Sequence, residues 1–294
     1  MLPYNAVEAL VVVIDCGSFQ AAASKLHITQ SAVSQRIALL EDQVGERLLL
    51  RSSPLQATKR GEQFIAHAKH LIEMEKSLLH GNSDLNTSNK KIRIGVNADS
   101  VEIWLFDAAK EIVNSNNYLL ELVIENEEYT FERMRGGEFF SCISTNSKSL
   151  PGCEVELLAR IKYKCFCTLP FKKKYFPKGL IAVENVQSAP AVLFDNKDYF
   201  HQRFLKKIGI DTSIFPHHLV PSSRGFLDII NSGMAYGVLP ELQAEDSVKK
   251  GQLVNLYPEI SITVPWYWHY QRRELPMEQV FRKALIKQAK KILG

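Results

Sequence analysis

Ala21-Ala22-Ala23-Ser24-Lys25-Leu26-His27-Ile28-Thr29-Gln30-Ser31-Ala32-Val33-Ser34-Gln35-Arg36-Ile37-Ala38-Leu39-Leu40-Glu41-Asp42-Gln43-Val44-Gly45-Glu46-Arg47-Leu48-Leu49-Leu50-Arg51 is the most informative stretch of this 294-residue chain. Ser18 is placed to cap a short helix whose face is Ala22, Ala23 and Leu26, narrow enough for a second helix to lie close across it. Thr29 is placed to cap that second helix, with Val33, Ile37 and Leu40 at helical spacing and Gly45 as its stop. The link between them, His27-Ile28, is short, which predicts helix-turn-helix geometry. The second helix then offers Gln30, Ser31, Ser34 and Gln35 near its N-terminus. Glutamine pairs bidentately with adenine in the major groove, serine suits bases or phosphates, and the helix N-terminus attracts phosphate. Ser18, Lys25, Thr29, Arg36, Arg51 and Lys59 are the further candidates for contact with DNA.

Working outward, Asn5 with Glu8 predicts a capping box opening a helix through Cys16, stopped by Gly17. On the other side, two short strands at 48–51 and 55–57 around Ser52-Ser53-Pro54 predict a wing. Thr58 is placed to cap a long helix from Lys59 to His80. On it Phe64, Ala68, Leu71 and Leu78 form a heptad-like seam suited to dimerisation; an amphipathic helix packed on its own domain is the competing reading. His67 and His70 lie one turn apart on this helix and read as solvated polars. The polar run 81–90 reads as a hinge.

From residue 91 the texture changes to alternating strands and helices, which predicts a mostly parallel sheet. Strands at 92–96, 119–124 and 139–144 alternate with helices at 99–114 and 130–135. The rhythm repeats over 191–239. Two extended stretches, 154–170 and 262–270, join the halves, so the expectation is two lobes around a cleft at strand carboxyl ends. The expected domains are 1–58, 59–80, 81–90 and 91–294, with lobe I about 91–162 and 265–294 and lobe II about 163–264.

The first 60 residues resemble the winged helix-turn-helix of the LysR-type transcriptional regulators, through Ala23 and Leu26, then Gln30–Glu41, then Gly45–Arg51. The linker helix and the two-lobed remainder extend the resemblance over essentially the whole chain. It implies an α/β fold: an N-terminal winged helix-turn-helix, a long linker helix and a two-lobed, periplasmic-binding-protein-like effector domain. Within the family the chain is most similar to the basic-amino-acid-responsive branch (ArgP/IciA/LysG). The segments that carry this are Leu48-Leu49, Val96-Asn97-Ala98-Asp99-Ser100, Arg135-Gly136-Gly137-Glu138, Lys174-Tyr175-Phe176-Pro177-Lys178-Gly179 and Phe194-Asp195. Asn126 departs from it, standing where an acidic residue is expected. The resemblance implies control of genes for basic-amino-acid export or metabolism, arginine or lysine as co-effector, promoter DNA and RNA polymerase as partners, and a homodimer or homotetramer. A second role it allows is an architectural or replication-initiation-inhibiting DNA binder.

An amino acid with a cationic side chain needs donors for its carboxylate and carboxylates for its cations. Asn97, Asp99 and Ser100 open the first helix of the sheet domain, so Ser100 is a candidate hydroxyl; Ser144 and Thr145 are a second pair. Asp99, Glu125, Glu127 and Asp195 lie at or past strand ends as candidate carboxylates. Asp99 reads equally as a helix cap, and Asp195 as a turn residue.

The composition is globular, 46% apolar and 23% charged. The longest apolar run, Ala9 to Ile14, is far short of the ~20 residues that span a bilayer. No Lys or Arg precedes Lys25, and Glu8 and Asp15 bracket the apolar stretch, which argues against a signal peptide and for the cytoplasm. Five cysteines without CxxC spacing fit a reducing compartment, and Cys165 and Cys167 read as positions on a half-buried strand. No Ser/His/Asp or Cys/His constellation and no phosphate-cradling glycine loop emerges: Gly233-Met234-Ala235-Tyr236-Gly237 opens a strand and Gly136-Gly137 is a turn. The expectation is no enzyme, no cofactor, no catalytic or metal-ligating residues and no membrane contact. The basic tail, with Arg282, Lys283, Lys287, Lys290 and Lys291, reads as a closing helix with Phe281, Leu285, Gln288, Ala289 and Ile292 inward; a membrane-surface helix is the competing reading.

The net charge of +4 is unevenly placed. Residues 1–80 hold 8 basic and 8 acidic side chains, leaving 28 against 24 in the remainder. DNA contact therefore rests on a few placed groups, and the charge excess belongs to the effector side.

Overall fold

A computed structural model describes residues 3–50, 55–65, 68, 71–72, 90–124, 130–131, 133–134, 139–177, 182–212, 214–272 and 274–294. Arg51, Leu78, Glu125, Glu127, the histidines at 67 and 70, the turn at 52–54 and almost all of 81–90 lie outside the described residues.

The N-terminal unit is built from α1 (Tyr4–Cys16), α2 (Phe19–Leu26) and α3 (Gln30–Val44). Their caps follow the local chemistry at two of three starts. Ser18 Oγ accepts from Ala21 N–H and Thr29 Oγ1 from Ala32 N–H, each at 3.2 Å. The predicted cap at Asn5 is incorrect: α1 starts two residues earlier, from an extended Pro3 with no side-chain cap, and the Pro3 carbonyl accepts from Ala6 and Val7 N–H. Proline's fixed φ sets up the first turn without a cap. Gly45 ends α3 at φ 78°, the left-handed conformation that favours glycine. Leu10, Val13, Ala22, Val33, Leu40 and Leu48 are fully buried between the three helices and the wing.

The wing is the antiparallel pair β1 (Leu49–Leu50) and β2 (Gln56–Ala57), with Leu49 opposite Ala57. Glu41, on α3, fastens it: its Oε1 accepts from Leu48 N–H at 2.7 Å and Leu49 N–H at 3.2 Å. Thr58 fixes the other side, donating through Oγ1 to the Arg47 carbonyl at 2.8 Å and accepting from Gly61 N–H at 3.0 Å at the start of the linker helix. That helix is described at 59–65, 68 and 71–72. Of the expected seam, Ala68 is 1% exposed and joins its own domain's core with Phe64 packed against it, as the amphipathic alternative has it, while Leu71 is 40% exposed.

The larger unit is organised by two long antiparallel strands, β6 (Cys153–Thr168) and β11 (Ile262–Gln271), paired from Ile262 opposite Tyr163 to Gln271 opposite Cys153. On one side β11 is followed by β5 (Ser141–Ser144), β3 (Lys90–Val96) and β4 (Tyr118–Ile124). The β3 pairings with β4 and β5 are parallel. At the other end β6 pairs with β9 (Gly237–Pro240) and β10 (Leu253–Asn255). A parallel pair, β7 (Ala191–Leu193) and β8 (His217–Leu219), joins β9 through an Ala191–Tyr236 bridge. Two sheet regions thus share β6 and β11, as expected of two lobes with crossing strands. Cys165, Phe166 and Cys167 are all buried, so this part of β6 is covered on both faces rather than half-buried.

The first effector helix, α4, runs over 98–116 as Ala98–Ser100, a π-helical turn Val101–Leu105, and Phe106–Asn116. The π-turn sends Trp104 and Leu105 into the core. Residues 130–131 and 133–134 are helical, and further helices are α5 (Leu169–Tyr175), α6 (Val183–Val186), α7 (Phe200–Lys207), α8 (Ser223–Asn231), α9 (Glu241–Lys249) and α10 (Pro276–Leu293). The last is a closing helix, with Phe281, Leu285, Ile286 and Ala289 buried; Ile292, expected inward, is 38% exposed because the buried face turns toward Ile286. No helix among the described residues is long and apolar enough to cross a membrane.

Glu278, in the first turn of α10, accepts from Leu275 N–H, and burial beside Glu274 pushes its carboxyl up to about 8. The folded state therefore holds this proton more tightly than the unfolded chain does. Its contribution is fully present below the ordinary value of 4.5 and is lost as pH rises through about 8. Urea unfolding is expected to show declining stability across that upper limit, and Glu278→Gln to flatten the decline; an unchanged profile in the variant contradicts the assignment.

Candidate DNA-reading helix and effector cleft

On α3 the side chains of Gln30, Ser31, Ser34 and Gln35 are exposed on one face, opposite the buried Val33, Ile37 and Leu40. Ser18, Lys25, Thr29 and Lys59 are exposed, and Arg36 is half-buried. Thr29 and Ser18 spend their hydroxyls on caps, so each fixes a helix end as well as facing solvent. Glu41 was legible only as an acid on another face; its role in holding the wing depends on residues seven and eight positions on.

The effector side contains a cleft of about 1120 Å³ between the two sheet regions, bounded by the start of α4, the start of α8 and the loop leading into α7. Asn97 Oδ1 caps α4 by accepting from Ser100 N–H at 2.8 Å, so Asp99 is not the cap. Asp99 instead faces the cleft. Its Oδ2 accepts from Tyr163 O–H at 2.6 Å and its Oδ1 from Ser223 O–H at 2.7 Å. Ser223 is the first residue of α8, so this carboxylate ties α4 of one lobe to α8 of the other. Arg224 and Glu102, 3.3 Å apart, make a second, more exposed tie beside it. Tyr163 is held flat against Phe200, ring centroids 4.3 Å apart.

A second carboxylate lines the same cleft. Asp198 accepts from Phe194 N–H at 2.9 Å and Phe200 N–H at 3.0 Å, which fixes the loop that opens α7. Burial raises the proton affinity of both acids. For Asp99 the hydrogen bonds from Tyr163 and Ser223 oppose this; for Asp198 the two backbone N–H groups oppose it and the Asp99 charge adds to it. Two desolvated carboxylates that feel each other's charge form a site that a cation relieves.

Of the expected effector contacts, Asn97, Asp99, Thr145 and Asp195 line the cleft, Asp195 also accepting from Lys197 N–H at 2.7 Å as a turn residue. Ser100 and Ser144 do not belong to the lining: both are buried, and Ser144 Oγ accepts from Asn146 N–H. The helix phase that turns Asp99 outward turns Ser100 into the core. Asp198, Tyr163, Ser223, Phe200 and Gln243 also line the cleft and were not anticipated, as do the basic Lys197 and Arg203. Asp198 had one visible signal, its place just before a helix; Tyr163 and Ser223 come from 64 and 124 residues away from Asp99.

Residues 4–62 match the model of the bacterial regulatory helix-turn-helix proteins of the lysR family. The HTH-type transcriptional regulator ArgP of Pseudomonas fluorescens Pf0-1 is 34% identical over 274 residues, 92% of each chain. The chain belongs to the LysR family of transcriptional regulators. ArgP of Salmonella typhi is 35% identical over 291 residues, covering 99% of this chain and 97% of its own. Among solved structures, ArgP from Mycobacterium tuberculosis superposes with a TM-score of 0.84 at 29% identity, covering 97% of this chain and 96% of that one. LysG from Corynebacterium glutamicum, solved full-length with arginine bound as effector, superposes at 0.78 with 28% identity and 98% of both chains covered. This LysR-type chain falls in the ArgP and LysG branch, and its α/β architecture is the family's. The winged helix-turn-helix at the N-terminus is therefore a DNA-binding element of a transcriptional regulator.

Proposed function

We propose that the cleft binds a basic amino acid, arginine or lysine, and that its occupancy changes how this regulator holds promoter DNA at genes for basic-amino-acid export or metabolism. The observation that carries the reading is the pair Asp99 and Asp198, desolvated carboxylates from opposite lobes lining one cleft. Arginine in the homologous LysG supports it. Asp99 and Asp198 receive the two cations of the ligand, and Asn97, Thr145 and Gln243 supply polar contacts to its remainder. Closing on the ligand changes the relation of the lobes; it shifts DNA binding only through different affinities for the two arrangements.

The supporting measurement is calorimetric titration with arginine and lysine. Because burial raises both carboxylates, acidification protonates them and a bound cation displaces those protons. Affinity is expected to rise with pH above the ordinary carboxylate range, with protons released on binding, seen as an enthalpy that depends on buffer ionisation. A pH-independent affinity with no proton release contradicts the carboxylate assignment.

The same reading takes Gln30, Ser31, Ser34 and Gln35 to base edges, and Ser18, Lys25, Thr29, Arg36, Arg51 and Lys59 to the backbone. It places a regulator rather than an enzyme in the cytoplasm. It works as a homodimer or homotetramer with RNA polymerase as a partner, Leu71 and Leu78 on the dimer side of the linker helix, and boundaries near residues 58, 80 and 90.

A further inference from the structure

The effector side holds the charge excess, and among the described residues two of its basic side chains, Lys197 and Arg203, line the cleft. A second cavity, about 740 Å³, lies in lobe II between α5, the end of α8, the end of α9 and His218 of β8. It is at the far end of the lobe from the cleft: α8 starts at Ser223 in the cleft and ends at Asn231 in this groove, roughly 12 Å along the helix. Strand β6 likewise passes from Tyr163 in the cleft to Thr168 in the groove.

Two observations describe what the groove accepts. Its lining among the described residues includes no Asp or Glu, while Lys174 lines it, exposed Lys173 and half-buried Lys172 precede it on α5, and exposed Lys250 precedes Gly251 on the opposite wall. Lys249 contributes less, being paired with Glu245. The groove also offers apolar surface: Pro170, Tyr175 and Met234, the last 55% exposed.

We propose that this groove docks an acidic peptide segment of a partner protein. An apolar side chain of the segment rests on Pro170, Tyr175 and Met234, and its carboxylates meet Lys172, Lys173, Lys174 and Lys250. Lysines alone would serve a DNA backbone equally well; the apolar floor favours a peptide.

The test is fluorescence anisotropy on the full chain with two labelled probes of equal charge, a short peptide alternating Asp or Glu with Leu or Phe, and a polyglutamate. The mixed peptide is expected to bind, and polyglutamate to bind at least about tenfold more weakly. Lys172→Glu/Lys173→Glu/Lys174→Glu is expected to weaken the mixed peptide by about tenfold or more, since each pair is replaced by repulsion. Met234→Asp, at an exposed position that leaves the fold intact, is expected to weaken it several-fold, with promoter DNA affinity unchanged in both variants. Equal binding of the two probes, or no binding of the mixed peptide, overturns the proposal. Loss of promoter affinity in the triple variant with the mixed peptide unbound assigns the lysines to DNA instead.

Discussion

Asp198→Asn is expected to weaken arginine binding by about 2–3 kcal/mol, roughly 30- to 150-fold, while promoter affinity without arginine stays close to that of the parent chain and the melting temperature falls by a few degrees, because the amide accepts only one of the two N–H groups that the carboxylate holds. The reasoning is electrostatic. In the parent, burial and the Asp99 charge make ionised Asp198 costly, and two N–H groups only partly offset that cost. A guanidinium or ammonium group recovers it; a neutral amide offers nothing to recover. Asp99→Asn is expected to weaken arginine comparably, but it also loosens the tie to Tyr163 and Ser223, so it adds a change in lobe closure. Calorimetry of both variants with arginine, and with citrulline as the uncharged analogue, checks this. A parent that binds citrulline as tightly as arginine, or variants that bind arginine like the parent, contradicts it.

The second large effect lies at the wing. A Cβ added at Gly61 would meet the Leu48 carbonyl oxygen at 2.0 Å and its carbon at 2.9 Å. That carbonyl cannot simply move, because Thr58 N–H donates to it at 3.0 Å and Leu48 is itself buried next to β1. Gly61→Ala therefore pushes the linker helix off the wing. Alanine's better helix propensity returns about 1 kcal/mol, but overpacking against fixed backbone costs about 3 kcal/mol or more. The net is expected near 2 kcal/mol, about 10 °C in the melting of a domain this small, together with weaker promoter binding. Differential scanning calorimetry checks it; a variant that melts with the parent shows that the wing yields.

Local chemistry was readable where both partners are near in sequence. Ser18, Thr29 and Thr58 each cap a helix three residues on, and the apolar spacing of Val33, Ile37 and Leu40 gave the face opposite the exposed glutamines and serines. Alternation of strand and helix gave the two lobes but not the strand directions: the mostly parallel sheet it predicts is incorrect, because β6 and β11 cross between the lobes and pair antiparallel with each other and with β5, β9 and β10. The cleft was readable only by halves. Asp99 stood out as a carboxylate just past a strand, but its neighbour Ser100 was assigned with it, and one residue around a helix is the difference between cleft and core. Asp198 looks in sequence like an ordinary helix start; what the fold adds is Asp99, whose charge reaches it across the cleft. Glu41 looked like surface charge because its partners belong to another element.

The most direct test of the central claim is a gel shift and footprint on the chain's own upstream region and on a basic-amino-acid exporter promoter, with and without arginine and lysine, for the parent chain and Asp198→Asn. A discrete protected site whose extent or mobility changes with the basic amino acid is expected in the parent, and the same site without that response in the variant. Unbounded coverage of the DNA, as an architectural or replication-blocking binder would give, or an arginine response unchanged in Asp198→Asn, contradicts it.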